Sequence, residues 1–527
     1  MKNNLFRIFH SISASATHPI SSAEQHVHQQ LHPTTSQPSS PADLPQSSMS
    51  NFPAELLLEI FDHVCEQPRI SEALQVDVDG YSGPLLLGRV CKQWRDIAWL
   101  APTLWTFIYF VPSSDKYAVQ SKLLDAYLRR SKDLPLTIVF RMKEFSKPYD
   151  YEDNRLLPLY KLIAQECHRW EVIDIFIPYF CVSYLNTTCH KFPLLRTASV
   201  EAARTGALPS FVRNAIHMRD LGLTVFPMPK LETPHLHLTH FRATRLASDQ
   251  VLDAFALTPN LRSCIVEDMT RISPGAVASP HIHLKKLETF TFSTRNASGV
   301  ESHLFQNIST PILREFRCRA RLGNDLPLYL IKTLLDRSSC QLEGFELKTS
   351  GLDSLDINAR LDPLLRRLTT VSRLVLDFEE CTWDQTWPTT IAKFLDPLWP
   401  PAPPHWPSLG VVVDFDNDCP VLLPNLRHLD LRVRVMTQWG FILPVLNMVK
   451  HRWMFANAAT SDFTATMPQS PDGGKQFAKI VSVRLPDWCY SEAMREFRDE
   501  IQEGLTVDFF ESSPLHGSEF LNDPQNH

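Results

Sequence analysis

The chain's 527 residues suffice for several domains or one long repeat array, and 52 Lys and Arg against 58 Asp and Glu give a mild charge of −6, which argues against a broad nucleic-acid surface. The best apolar stretch, Ile97 to Val111, is too short for a bilayer and holds Pro102 and Thr103, so no membrane partner is expected. The Cys count of 11 is odd and includes no C-x-x-C, which suits reduced thiols in the cytoplasm or nucleus better than a secreted disulfide framework.

Residues 1–48 are expected to be a disordered tail. Ser, His, Gln and Pro dominate from Ser11 to Ser48, too little apolar surface to offset ordering entropy. The start, MKNNLFRIFHSI, has some look of a mitochondrial presequence but is nearly free of Arg, and Met49 offers an alternative start.

From residue 49 to 110 the pattern is helical. Leu56, Leu57, Ile60, Phe61 and Val64 recur at three- and four-residue steps behind Pro53, which the first turn of a helix tolerates. A second helix is expected to place Leu87, Val90, Cys91, Trp94 and Ile97 on one face. So small a unit cannot bury two wide stripes internally, so part of this surface is expected to dock a partner. A lone stripe of this kind would equally suit the core of an ordinary helical domain.

Three ordered blocks say more. Phe52-Pro53-Ala54-Glu55-Leu56-Leu57-Leu58-Glu59-Ile60-Phe61, then Val90-Cys91-Lys92-Gln93-Trp94-Arg95, then Ala101-Pro102-Thr103-Leu104-Trp105, resemble the F-box, in the F-box-like form common in mushroom-forming fungi. Phe52 stands where that family usually has Leu, and a long insertion from Glu66 to Pro84 separates the helices. Tyr127 to Ser131 followed by Leu134 to Ile138 looks like the helix-to-strand step that follows the box, with a linker helix within 111–135. The resemblance implies docking on a Skp1-like adaptor, and through it a cullin, by Phe52, Pro53, Leu56, Leu57, Ile60, Phe61, Val90, Cys91 and Trp94. Trp105 is expected to be structural, wedging the helical unit against the first strands.

Past residue 160, within a solenoid expected over 136–490, a unit of apolar, two positions, apolar, one position, apolar recurs. Its members are Trp170/Ile173/Ile175, Leu195/Ala198/Val200, Met218/Leu221/Leu223, Leu238/Phe241/Ala243, Leu261/Cys264/Val266 and Leu287/Phe290/Phe292. Leu313/Phe316/Cys318, Leu342/Phe345/Leu347, Val371/Leu374/Leu376, Leu426/Leu429/Leu431 and Ile480/Val483/Leu485 follow. The first residues are 20 to 29 apart as far as Val371 and then 55 and 54 apart, so each long gap is expected to hide a degenerate unit, with Trp406/Leu409/Val411 a candidate. The unit resembles the leucine-rich repeat, whose core is a short strand that alternation stacks on its neighbours. Segments such as Ser248 to Leu257 and Leu326 to Leu335 are expected as helices on the outer side. A doubly wound α/β sheet is the competing fold, but 16 glycines and no G-x-G-x-x-G disfavour it.

The expected fold is therefore α+β overall, an N-terminal all-α F-box followed by an α/β leucine-rich-repeat-like solenoid, a horseshoe. Residues 491–527 are expected to hold a last helix and a disordered acidic tail. Strand positions between the core residues would face the inner surface of the horseshoe. These include Thr289, Thr291, Glu315, Arg317, Glu346, Arg373, His428, Asp430 and Arg432, whose mixed charge suits a protein target and makes a polyanion a poor fit.

Catalytic and metal signatures are weak. There is no H-E-x-x-H, G-x-S-x-G, Walker A or zinc-spaced cysteine pair, and Gly473-Gly474-Lys475 lacks P-loop spacing. His235, His237 and His240 with His281 and His283, the group Cys181, Cys189 and His190, and the acidic pairs Asp414/Asp416 and Glu379/Glu380 are better read as repeat surface. The proline-rich Pro397 to Pro407 reads as an insertion loop, with a polyproline ligand as the alternative. No cofactor or enzymatic activity is expected. The function implied is the substrate-recognition subunit of a Skp1–cullin–F-box ubiquitin ligase, the repeats gripping a target protein. The alternative is a repeat-based interaction scaffold whose box no longer binds Skp1.

Overall fold

The computed structural model describes residues 52–65, 83–112, 116–141, 154–203, 209–224, 235–270, 280–294, 300–320, 328–349, 361–378, 423–432, 445–453 and 478–510. The 1–48 tail, the inserted loop over 66–82, the Trp406/Leu409/Val411 unit, the loops 397–407 and 467–475, both acidic pairs and the tail beyond 510 lie outside the described residues.

Three helices open the described chain: α1 (Ala54–Val64), α2 (Pro84–Leu87) and α3 (Lys92–Leu100), followed by a 3-10 turn, Pro102–Trp105. Pro53 sits at the N-cap of α1 rather than inside its first turn. The helix expected from Leu87 through Ile97 is broken instead. Cys91 adopts an extended conformation and caps α3, its Sγ accepting from the Trp94 amide at 3.4 Å. The break sits where Trp99 crosses Gly88 so closely that a Cβ there would fall 2.4 Å from the indole ring. Leu87 therefore belongs to α2, packed beneath, and Val90 to the turn.

The rest is one parallel sheet with helices between its strands. Its first strands are β1 (Phe107–Phe110), β2 (Leu136–Phe140), β3 (Trp170–Pro178), β4 (Thr197–Ala203), β5 (Asp220–Thr224), β6 (His240–Thr244) and β7 (Ser263–Glu267). The short β8 (Ile282–His283) and β10 (Ile308–Ser309) pair with each other, outside the main sheet. The sheet continues through β9 (Thr289–Thr294), β11 (Glu315–Ala320), β12 (Gly344–Thr349), β13 (Arg373–Asp377), β14 (His428–Arg432), β15 (Ser482–Pro486) and β16 (Thr506–Phe510). All 14 strands follow chain order without a reversal. A doubly wound sheet reverses direction at a switch point, so this strand order does not fit that alternative and is consistent with an α/β solenoid.

Alternation explains why it stacks. Every apolar position of the eleven repeat units is buried. Register carries each column forward, Ile173 to Ala198 to Leu221 to Phe241 to Cys264 to Phe290, then through Phe316, Phe345, Leu374 and Leu429 to Val483. Helices cover this face. Phe241 meets Phe255 of α8 (Ser248–Ala256), numbering α4 (Tyr117–Arg130), α5 (Leu157–Gln165), α6 (Tyr179–Thr188) and α7 (Ser210–Asn214) before it. Phe290 and Phe292 meet Phe305 of α9 (Val300–Gln306), and α10 (Leu328–Ser338) packs beside α9. No single repeat could bury such a face; its neighbour completes it.

Three expectations need correcting. The sheet begins at β1, inside the segment assigned to the helical box, and continues past residue 490 to β16, which pairs with β15 where a tail was expected. Second, β13 pairs directly with β14, and β14 with β15. Each strand has only two edges for backbone hydrogen bonds, so no further strand stands between β13 and β14 or between β14 and β15 in this sheet. The second gap holds a helix over 445–453. Third, the repeat starts earlier than Trp170, since β1 and β2 already belong to the sheet. Among the described residues no helix is long and apolar enough to cross a membrane.

Candidate interaction surfaces

The docking residues expected on the helices divide into two layers. Leu57 and Phe61 are fully buried and Trp94 nearly so, with the Phe61 and Trp94 rings 4.9 Å apart between α1 and α3. These build the core beneath. Leu56 is 46% exposed and Val90 37%, Pro53 and Cys91 are exposed, and Phe52 and Ile60 are half-buried. On a helix of 3.6 residues per turn, Leu56 and Ile60 fall on the stripe beside the one that Leu57 and Phe61 bury. The sequence reading missed Leu85 and Leu86 of α2, both more than a third exposed, because it counted Leu87 as the outward residue.

Trp105 joins these helices to the array. It is wholly buried, its indole Nε1 donates to the Ala98 carbonyl at 2.8 Å, and its ring sits edge-on to Trp99 and Tyr127 at 5.2 and 4.7 Å. The Arg130 guanidinium lies 4.6 Å over it. Tyr127 and Arg130 belong to α4, the helix linking β1 to β2, so one side chain ties α3 to the first repeat. Burial, with the nearby Cys65 second, raises the Tyr127 phenol well above its ordinary range.

The sheet face away from the helices carries the second surface. Register sets Glu315 beside Thr289 and Gly344, Arg317 between Thr291 and Glu346, Arg373 beside His428, and Asp430 beside Val375. Their charges are already matched. Arg373 crosses Gly344 to reach Glu315 at 2.8 Å, two strands away, and a Cβ on Gly344 would sit 3.2 Å from the guanidinium. Arg317 lies 3.0 Å from Glu315 and 3.7 Å from Glu346, while Arg432 lies 2.7 Å from Asp430 and 3.8 Å from Asp377. The Asp430 carboxylate, as hydrogen-bond partner, raises the Arg432 pKa further. His428 Nδ1 is 2.8 Å from Ser482 Oγ.

Sequence reasoning missed four more members, Arg319, Lys348, Asp377 and Arg484. Arg319 pairs with Glu346 at 3.0 Å, Lys348 with Asp377 at 3.0 Å, and Arg484 with Asp430 at 3.9 Å. Two residues past a named position, or one strand further on, they fall on the same face by alternation. Partly exposed pairs of this kind contribute ~0–1 kcal/mol each, so their effect is to order a mixed-charge surface more than to hold the fold.

The histidine group does not converge. His235 is buried, and burial lowers its pKa, whereas His240 turns to Asp220 at 2.8 Å, and His283 bonds Ser309 Oγ at 2.6 Å. Cys181 is buried, its thiol pushed up to about 12 by burial. Among the described residues no three His, Cys, Asp or Glu side chains are disposed to hold a metal ion. No protein-family model matches this chain, and no curated protein matches it as a relative.

Proposed function

We propose that the chain is a non-catalytic substrate-recognition subunit of a Skp1–cullin–F-box ubiquitin ligase. In this reading the helices α1 to α3 form the F-box, the strands form leucine-rich-repeat-like units, and the two ends act on different partners. The observation that carries it is the outward set Leu56, Val90, Leu85 and Leu86, exposed apolar side chains backed by the buried Leu57, Phe61, Leu87 and Trp94. Apolar side chains gathered on a rigid support suit a face that a partner covers. Leu56 and Val90 belong to the first two F-box-like blocks of the sequence, and Leu85 and Leu86 fall between those blocks.

The mechanism requires no bond chemistry from this chain. An adaptor covers the helical face, a target lies on the mixed-charge sheet face, and the ligase is held at high effective concentration beside the target. Mixed charge favours orientation and selectivity over raw affinity. The test is co-purification of a Skp1-type adaptor and a cullin with the tagged chain. Replacing Leu56 and Ile60 together by Ala should remove both, since each exposed apolar group newly buried contributes up to about 1.5–3 kcal/mol to docking. A folded double variant that still brings down the adaptor at wild-type strength would refute the assignment.

A further inference from the structure

At the start of each strand, or just before it, one residue stacks on its counterpart in the neighbouring repeats through backbone hydrogen bonds. The column runs Glu171, Arg196, Arg219, Thr239, Arg262, Glu288, Arg314, Glu343, each linked to the next at 2.8 to 2.9 Å. In its later part each arginine faces a carboxylate on the next repeat, Arg262 with Glu288 at 3.6 Å and Arg314 with Glu343 at 3.3 Å. Earlier the alternation fails. Arg196 and Arg219 are adjacent, Arg196 reaches Glu171 only at 3.8 Å, and among the described residues no carboxylate lies within ion-pair distance of Arg219. His217 and His237 stand beside them with rings 6.0 Å apart.

These four side chains, with Pro193 and Leu194, line a cavity of about 340 Å³ open to solvent. Leu194 in its lining is 39% exposed, and beside the two lining histidines in sequence the same turns expose Ile216 at 69% and Leu236 at 57%. The whole chain is net acidic at −6, so this local excess of cationic side chains is not an echo of bulk composition. Guanidinium groups recognise carboxylates through paired donors, and aliphatic groups beside them take an apolar neighbour of that carboxylate.

We propose that this cleft binds a short acidic segment of a partner polypeptide, carboxylates on Arg196 and Arg219 and an aliphatic side chain against Leu194, Ile216 and Leu236. The length follows from the column itself. Glu171 and Glu288 stand at either end of the cationic stretch, both partly exposed. An extended polyanion or an anionic membrane would meet those carboxylates, whereas a short segment fits between them. The cleft lies on the turns, away from both the helical face and the ion-paired sheet face, and does not depend on adaptor docking.

The test is a random-peptide phage selection on the purified full-length chain, followed by fluorescence anisotropy with the enriched peptide. The expected consensus places two acidic residues close to a Leu, Ile, Val or Phe. Arg219→Glu should weaken the peptide ~10-fold or more, and the pair Ile216→Ser and Leu236→Ser by about threefold or more. Arg319→Glu, on the sheet face, should leave affinity unchanged. A consensus without acidic residues, no enrichment, or affinity indifferent to Arg219→Glu would overturn the proposal. So would phosphatidylserine vesicles binding in an Arg219-dependent way while no peptide is enriched, since that outcome makes the cleft a lipid site. Loss of adaptor binding in the Leu56 and Ile60 variant with peptide binding intact separates this proposal from the ligase reading.

Discussion

Replacing Trp105 by Ala removes several interactions at once, and the structure says how large the loss should be. The ring is wholly buried between Trp99 and Tyr127, under the Arg130 guanidinium, with its N–H on the Ala98 carbonyl. Truncating a buried Trp costs ~3–5 kcal/mol through lost transfer energy and the cavity left behind. The exposed Ala98 carbonyl and the lost aromatic pairs lie inside that range, since the terms are not additive. A loss of about 4 kcal/mol corresponds to roughly a thousandfold change in an opening equilibrium, at tenfold per 1.4 kcal/mol. The appropriate readout is native-state hydrogen exchange at amides of α3 and α4, because a long repeat array need not unfold in two states. Protection there should fall by about two to three orders of magnitude, while amides of β11 to β13 keep theirs. Trp105→Phe retains most of the buried area but strands the Ala98 carbonyl, and should cost about 1–2 kcal/mol. If Trp105→Ala exchanges like wild type in α3 and α4, the residue is not the joint described above.

Phe316→Ala should open the middle of the array, since Phe316 is buried between Phe290 and Phe345 with ring centroids 5.6 and 6.2 Å away. A loss of ~3–5 kcal/mol is expected, read as lowered exchange protection in β9, β11 and β12 and refuted by unchanged protection there. The hydrogen bond between the buried Cys167 and Cys189 thiols holds the Cys167 pKa below that of an ordinary thiol and pushes Cys189 up. The thiolate, which reacts, accumulates as pH rises through its pKa, so maleimide labelling followed by mass spectrometry should show Cys167 reacting at lower pH in the wild type than in Cys189→Ala; the same pH dependence in both proteins would contradict it. Reversing Arg317, Arg373 and Arg432 to Glu places new carboxylates against Glu315, Glu346, Asp377 and Asp430. Proximity labelling should then lose partners that do not require the box while the adaptor stays bound, and unchanged labelling would move the target site off the sheet face.

Much of the fold could be read from periodicity, because a spacing of three then two records both the turn into each strand and its alternation. That is why Leu287, Phe290 and Phe292, or Leu342, Phe345 and Leu347, could be placed in the core from sequence alone. What escaped was set by tertiary context. The break at Gly88 depends on the Trp99 ring above it, which no local pattern records. The last strand, Thr506–Phe510, reads TVDFF without a second repeat unit after it, so composition pointed to a tail, and only the open edge of β15 explains it. The long gaps misled because spacing counts residues along the chain, whereas strand order counts free backbone edges. On the helices, periodicity found the apolar stripes but not which would face outward: Leu57 and Phe61 went inside, Leu56 stayed out, and 100° of helix rotation separates them. The sheet-face residues were found as positions, but their pairing was not, since Arg373 reaches a carboxylate two strands away across a glycine.

The central claim, that exposed apolar residues on α1 and the turn before α3 dock an adaptor, is tested most directly by mixing purified full-length chain with a purified Skp1-type adaptor. Analytical ultracentrifugation should show a one-to-one complex for the wild type. Leu56→Asp with Val90→Asp, both at exposed positions, should abolish it while thermal unfolding stays as in wild type. No complex with the wild-type chain, or a complex indifferent to both aspartates, would contradict the account.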